Sequence, residues 1–395
     1  MAKKRYYLDT RVVTAFFFAA MPFVAFGSFV VVNMAESQLR ESVGIGLEQR
    51  AVQTKLVLES HIGEQVVDLR LLALMPVVQK ALPGHAPPLD PKEIRRKEQA
   101  WAKDSDPRLH TALLESVVAE RLRDVTAVRP GLRSIQVVDT RGRVVAASGR
   151  GGSLFHGEKA WFKELAAQKG QPMAWIGDIE RVTGSSLSAL EVGYPVRDEV
   201  GVFTGAIRGL LDARSLYRVL SPVRIGRTGH ATLIRSNDGM ILASDEGERI
   251  LTTSFPGFAS LSGAVEGFPL AEGGEAIFGK ARLKRGYWTI QEVTADIEGQ
   301  QVVIEPARIV GFSPVDQIPG VSWLVIVEQD LEEAVHPISG VTRYLWIHFI
   351  GVFVTVILLA LYFSFKLEQP VMDDDLHLHE EHIPASLKAR AAANE

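Results

Sequence analysis

The chain has 395 residues, a formal net charge of −4 and no cysteine. That length allows two or three domains, and the charge offers no basic field for nucleic acid. The missing cysteines exclude disulfides, thiolate metal sites and cysteine nucleophiles.

Residues 1–11 carry Lys3, Lys4, Arg5 and Arg11, and an apolar run follows from Val12 to Val32, VVTAFFFAAMPFVAFGSFVVV. Roughly 21 residues without a charge suffice to cross a ~30 Å hydrocarbon core as a helix. The run predicts a transmembrane helix over 12–34, and the basic N-terminus ahead of Glu36 predicts a cytoplasmic start. A cleaved signal peptide is the alternative reading, although the run continues past Ala25-Phe26-Gly27 into Phe29-Val30-Val31-Val32.

Residues 35–130 predict a helical stalk. Leu39, Val43 and Leu47, then Leu58, Ile62, Val66, Leu69 and Ala73, recur at steps of three or four and form one apolar stripe. A helix of this length calls for a partner, either its own domain or the same helix of a second copy. Pro76 predicts a kink, Pro83-Gly84 and Pro87-Pro88 end the pattern, and a second helical stretch is predicted over residues 92–128.

The period then changes to two. Residues 134–139 and 143–147 read as strands joined by Thr140-Arg141-Gly142, and residues 158–169 as a short helix. Residues 174–179, 186–196 and 205–211 complete a five-stranded antiparallel unit over 131–220. The same grammar repeats over 221–340, with strands at 228–235 and 240–244 around Asn237-Asp238-Gly239, then at 286–292, 304–315 and 323–328. A helix at 331–335 leads to a second apolar run, Tyr344 to Phe365, predicting a second span over 344–365. Two spans return residues 366–395, an acidic tail containing His377, His379 and His382, to the cytoplasm. An H-x-H-x-x-H tract beside carboxylates is a weak metal binder without a fold to hold it, and a solvated tail or docking peptide is the favoured reading. His348, inside the second run, reads as a tolerated interfacial imidazole.

The fold class is therefore α+β: a long N-terminal helix carrying two stacked antiparallel-sheet modules, flanked by two transmembrane helices. No G-x-S-x-G, H-E-x-x-H or phosphate-binding glycine loop occurs, so no enzyme chemistry and no cofactor are expected.

Several stretches fall in a recognisable order: Trp161-Phe162, Trp175-Ile176-Gly177-Asp178 with Thr183-Gly184, and Gly201-Val202-Phe203-Thr204-Gly205-Ala206 leading to Leu211-Asp212. Arg224-Ile225-Gly226-Arg227-Thr228-Gly229 and Asp238-Gly239-Met240-Ile241-Leu242-Ala243 follow. Together they resemble the double Cache family, PAS-like sensor modules on a long helix, over roughly residues 35–340. The resemblance implies ligand sensing outside the cytoplasm, on the periplasmic side of the inner membrane, by a chemoreceptor-like domain. Residues 131–220 would be the membrane-distal module and 221–340 the membrane-proximal one.

In amino-acid-sensing relatives the resemblance implies an Arg two residues before an aromatic pair, tyrosines, and an Asp closing the last strand. Here Lys159 stands at the Arg position, Trp161 and Phe162 form the pair, Asp178 and Leu154 fall where tyrosines would be, and Asp212 keeps the Asp position. A lysine lacks the bidentate fork that grips a carboxylate. Arg208, which alternates with Leu210 and Asp212 along one strand, could supply that fork if the shared face lines a pocket. Trp161 and Phe162 read equally well as core, Arg208 as a neutraliser of Asp212, and His230 as structural.

Two functions follow. The leading one is a membrane-anchored sensor binding a small polar or anionic ligand, dimeric through its N-terminal helix and signalling through a separate protein partner. The alternative is a non-signalling accessory or assembly subunit of an envelope or membrane complex.

Overall fold

The structure is a computed structural model, and it describes residues 10–82, 90–182, 187–244, 249–259, 261, 285–297 and 300–367. Two compact units emerge, Leu39–Val335 and a second made of Met1–Gln38 with His336–Glu395. The expected turn at Thr183-Gly184 and the histidines of the tail lie outside the described residues.

Helix α1 (Thr10–Ala73) runs without interruption through Gly44, Gly46 and Gly63. It stops where proline dictates: Met75, the residue before Pro76, is extended (φ −67°, ψ 128°), and Pro76 opens α2 (Pro76–Ala81). The stretch expected as one helix over 92–128 is three: α3 (Pro91–Lys103), α4 (Pro107–Leu114) and α5 (Val117–Val128). The side chains of Asp90, Asp106 and Ser116 each accept a first-turn backbone N–H. Both aspartates precede a proline at the first helical position, a start signal that helix-rich composition alone hides.

The first module pairs β1 (Leu132–Asp139), β2 (Val144–Ala147), β3 (Trp175–Arg181), β4 (Ser188–Arg197) and β5 (Phe203–Asp212) in the antiparallel order β2-β1-β5-β4-β3. Helix α6 (Ala160–Ala167) is inserted after β2, and α7 (Ala213–Leu220) leads into the second module. There β6 (Arg224–Ile225), β7 (Gly229–Arg235), β8 (Ile241–Ala243), β9 (Gly286–Ile290), β12 (Arg308–Val315) and β13 (Trp323–Asp330) make one sheet. A hairpin, β10 (Val293–Ile297) with β11 (Gln300–Glu305), precedes β12. The run expected as a single strand over 304–315 is thus split, because Pro306 has no N–H to continue a ladder.

The buried side of α1 holds both modules. Leu58, Ile62 and Leu69, all at 0% exposure, share one apolar cluster with Leu190 and Ile207 of the first module and Trp323 and Val325 of the second. At β12 the backbones approach closely: a Cβ on Gly311 would stand well inside 3.0 Å of the backbone of Leu47 and Glu48. The turn after β12 is tied to the same helix, since Glu59 accepts from the backbone N–H groups of Asp316 (3.1 Å) and Gln317 (3.0 Å), and Lys55 pairs with Asp316. His230 of β7 faces the buried Glu328 of β13 (3.1 Å).

Helix α8 (Leu331–Leu367) follows β13 directly. Its first-turn Glu333 accepts from the backbone N–H of Arg227 (2.7 Å) and of Thr228 (2.9 Å) and from Thr228 Oγ1 (2.6 Å). Gly226, at φ +60°, leaves room for that carboxylate. The Thr228 hydroxyl and then the two backbone donors hold the Glu333 pKa down at about 2, against an ordinary 4.5. A depressed carboxylate stabilises above its unfolded pKa and loses that contribution as pH falls through the folded one. The melting difference between wild type and Glu333→Gln is therefore expected to be full above pH 4.5 and to vanish toward pH 2. A pH-independent difference in calorimetry would refute the clamp.

Among the described residues no helix is long and apolar enough to cross a membrane. The two apolar runs lie in α1 and α8, and several of their side chains, residues 12–17 and 363–365 included, lie outside those described. Phe18, Phe23, Phe26 and Phe29 of α1, and Trp346, Ile350 and Leu358 of α8, are each more than half exposed.

A candidate ligand cavity in the first module

A cavity of about 660 Å³ opens on one face of the first sheet. Its floor comes from β4 and β5, one side from β3, the other from the glycine-rich loop 150–153, and part of its rim from α3.

Arg208 is the centre of the floor. Its guanidinium pairs with Glu191 through Nε and donates to Gln136 Oε1 at 3.0 Å. Register explains the grouping: on β1 Gln136 lies opposite Arg208, while on β4 Glu191 faces Leu210 two residues further along β5. The amide N–H groups of Gln136 donate to the carbonyls of Gly151 (3.2 Å) and Ser153 (3.3 Å), which orients the side chain and fixes the loop. Gln136 Oε1 also faces His156 Nε2 at 3.1 Å, so this network assigns the imidazole proton to Nε2. His156 is 1% exposed. Burial, reinforced by the charge of Arg208, pushes its pKa down to about 3, and the ring is neutral at physiological pH.

The remaining wall charges divide into engaged and unengaged. Glu98 accepts from the backbone N–H of Leu154 (2.8 Å) and Phe155 (2.9 Å). Arg150 reaches Asp104 (2.9 Å) and the Trp101 carbonyl (3.0 Å). Asp178 sits where β3 bulges between Ile176 and Ile179, and a bulge re-aims the side chain it carries. Its Oδ1 accepts from Trp323 Nε1 at 2.8 Å, and its Oδ2 pairs with Arg235. Lys159, Glu180 and Arg181 line the cavity, are exposed, and make no ion pair among the described residues.

Of the residues singled out in the sequence, Lys159, Asp178 and Arg208 therefore meet at one cavity. Trp161 and Phe162 lie behind it, 2% and 5% exposed, in a core cluster with Leu154 and Leu165. Trp161 leans on the His156 ring (5.3 Å between centroids), and Phe162 stacks edgewise on Phe203 (5.8 Å). Asp212 is elsewhere. Strand alternation does put Arg208 and Leu210 on the cavity, but Asp212 ends β5 and caps α7, accepting from the Arg214 N–H at 2.9 Å. It also pairs with Arg214 (3.0 Å) and Arg133 (2.8 Å). Burial pushes its pKa up, but the hydrogen bonds from Arg214 and Arg133 outweigh burial and hold it below the usual range. The expected partnership of Asp212 with Arg208 is replaced by these two arginines.

Gln136, His156 and Glu191 escaped the sequence reading. One signal was available: Gln136 and Glu191 are polar residues inside otherwise apolar strand runs. Among the described residues no group of three His, Asp or Glu could hold a metal ion.

The family model for the Cache domain, in its double form, matches residues 35–338, well over half of the chain. The chain belongs to the double Cache family. No curated protein sequence matches it. Among solved structures, the Cache chain is similar to the ligand-binding domain of the Pseudomonas aeruginosa amino-acid chemoreceptor PctC, bound to GABA. Identity there is 17% and the TM-score 0.41, with 71% of this chain and 97% of that one covered. It is also similar to the ligand-binding domain of the Pseudomonas fluorescens chemoreceptor CtaA with L-serine (16%, TM-score 0.42, 74% and 98% covered). A third is a domain of a putative sensory box/GGDEF family protein from Vibrio parahaemolyticus (15%, TM-score 0.47, 75% and 99% covered). Within this Cache domain the Asp178 and Asp212 carboxylates both already hold arginine partners from the chain itself.

Proposed function

We propose that this Cache protein is a membrane-anchored extracytoplasmic sensor. Its first module binds a small polar or anionic molecule, and a separate protein partner receives the signal. The observation that carries the reading is the cavity itself. A polar floor of half-buried Arg208 and Glu191 with buried Gln136 and neutral His156 lies beneath a rim where the cations Lys159 and Arg181 make no ion pair among the described residues. Pockets with a few convergent polar groups and perturbed titratable residues are where ligands bind.

Anchoring is supported by the uncharged runs at either side of the Cache domain, whose phenylalanines and tryptophan are exposed, and by the basic N-terminus. A second copy is a fitting partner for α1, whose face away from the sheets exposes Leu56, Val67 and Leu71 at helical spacing. The same stripe would suit a different envelope protein, which is the accessory-subunit reading.

Thermal-shift screening of the full chain in detergent, against carboxylates, amino acids and phosphate esters, separates the two readings. The sensor reading expects a stabilising compound, since ligand at about 100 times Kd adds about 2.7 kcal/mol. Arg208→Ala is expected to abolish the shift. Asp212→Ala is expected to lower the melting temperature through the lost cap, yet preserve the shift. A compound whose shift survives Arg208→Ala moves the site off this cavity. A clean blank, with a stoichiometric membrane partner recovered instead, favours the accessory subunit.

A further inference from the structure

We propose that the cavity of the first module is completed by the second: Arg235 and Trp323 are positioning residues that hold the cavity-wall carboxylate of Asp178. Asp178 lies in β3 and lines the cavity; its Oδ1 accepts from the Ile179 backbone N–H (2.8 Å), yet both its oxygens are also engaged from the other sheet, Oδ1 by Trp323 and Oδ2 by Arg235 alone. Arg235 ends β7 and Trp323 begins β13, 57 and 145 positions away in sequence. The other paired carboxylates of the wall are held from within the first module, Glu98 by the backbone of Leu154 and Phe155 and Glu191 by Arg208.

The anchors are themselves fixed. Trp323 is fully buried, so its indole N–H cannot follow a displaced carboxylate. Arg235 is braced on its other side by Asp238 at 2.9 Å. The turn leading to Trp323 lies against β3, where a Cβ on Gly320 would stand 3.1 Å from the Ile176 carbonyl oxygen. A carboxylate gripped at both oxygens has no rotational freedom, and its charge is neutralised by the arginine. Loss of Arg235 leaves Oδ2 without a donor, at the point where the register of β3 is already broken. The side chain then turns to the cavity and water, carrying an unpaired negative charge. The second module thereby sets the charge that the first module presents to anything entering it. Only the last step, that a ligand responds to this charge, rests on the sensor reading.

The test needs no ligand. The chain has no cysteine, so Ala102→Cys, at an exposed wall position on α3, supplies a single thiol beside the cavity. Its reaction rates with a cationic trimethylammonioethyl methanethiosulfonate and an anionic sulfonatoethyl methanethiosulfonate report the local charge in the full-length protein. Adding Arg235→Gln is expected to raise the cation-to-anion rate ratio about fivefold more when Asp178 is present than in an Asp178→Asn background, the size for one unpaired charge roughly 8 Å away in water acting oppositely on the two reagents. Trp323→Phe, which removes one of the two N–H donors on Oδ1 and no charge, is expected to raise the ratio in the same Asp178-dependent way by a smaller factor. Arg235→Lys is expected to restore most of the wild-type ratio. Equal effects of Arg235→Gln with and without Asp178 overturn the proposal. If Arg235→Gln fails to fold, Trp323→Phe decides, and an unchanged ratio there overturns it. Neither outcome bears on whether a ligand binds, which the thermal-shift screen determines.

Discussion

Gly311→Ala is expected to lower the melting temperature of the Cache domain by roughly 6–12 °C. The added methyl group would meet the backbone of Leu47 and Glu48 well inside 3.0 Å. Backbone atoms cannot rotate away as a side chain can, so α1 has to lift from β12 or the strand has to sink. Either motion uncovers Leu47, now 1% exposed, and neighbouring Ala51 at 0%. Overpacking of this kind costs about 1–3 kcal/mol, and exposure of the helix side chains brings the total to about 3 kcal/mol or more. For a domain of this size each kcal/mol moves the midpoint by about 2–4 °C. Gly46→Ala is the matched control: nothing lies within 4 Å of its Cβ position, and alanine in an exposed helix gains about 0.5–1 kcal/mol. Calorimetry of both variants settles the matter. Equal midpoints for Gly311→Ala and wild type would mean that α1 does not sit on β12 at all.

The second large effect concerns the cavity floor. Arg208→Ala leaves Glu191 without its cation and takes a donor from Gln136. The side chains are 12% and 26% exposed, so water rescues the stranded carboxylate only partly. The expected loss is about 2–4 kcal/mol, near the low end for a broken buried pair. Replacing both residues, Arg208→Met with Glu191→Met, is expected to recover stability to within about 1 kcal/mol of wild type, because no charge is then stranded. Ligand-induced stabilisation should stay lost in both variants. If the double substitution restores the melting temperature and the ligand response together, the pair has only a structural role.

Much of the fold is legible because its signals are local. Leu58, Ile62, Val66, Leu69 and Ala73 are read as one stripe from spacing alone; four are buried, and Val66 is half-buried against the same cluster. Pro76 marks where α1 stops, since the residue before a proline is driven out of the helical region. The divisions at Asp106-Pro107 and Ser116 are equally local but are masked by a composition that favours helix throughout. The candidate site is different in kind. Arg208 is visible as a charge in an apolar strand, whereas its partners Glu191 and Gln136 stand 17 and 72 positions away. Only the pairing register of three strands brings them together. Asp212 shows the converse: alternation puts it on the right face, and the end of the strand removes it, because a helix cap competes for the same carboxylate. The Asp178 contacts cross from one sheet to the other, a relation that no periodicity encodes.

Strand β13 ends at Asp330 and helix α8 begins at Leu331, with no residue between them. A loop would act as slack, absorbing a twist of the strand in its own torsions. Here the coupling has none: the backbone of Asp330 donates to the Thr228 hydroxyl, and that hydroxyl donates in turn to Glu333 in the first turn of the helix. The strand that begins at Trp323 and the first turn of the helix therefore behave as one shaft, and any rotation imposed on the strand end is delivered to that turn undiminished.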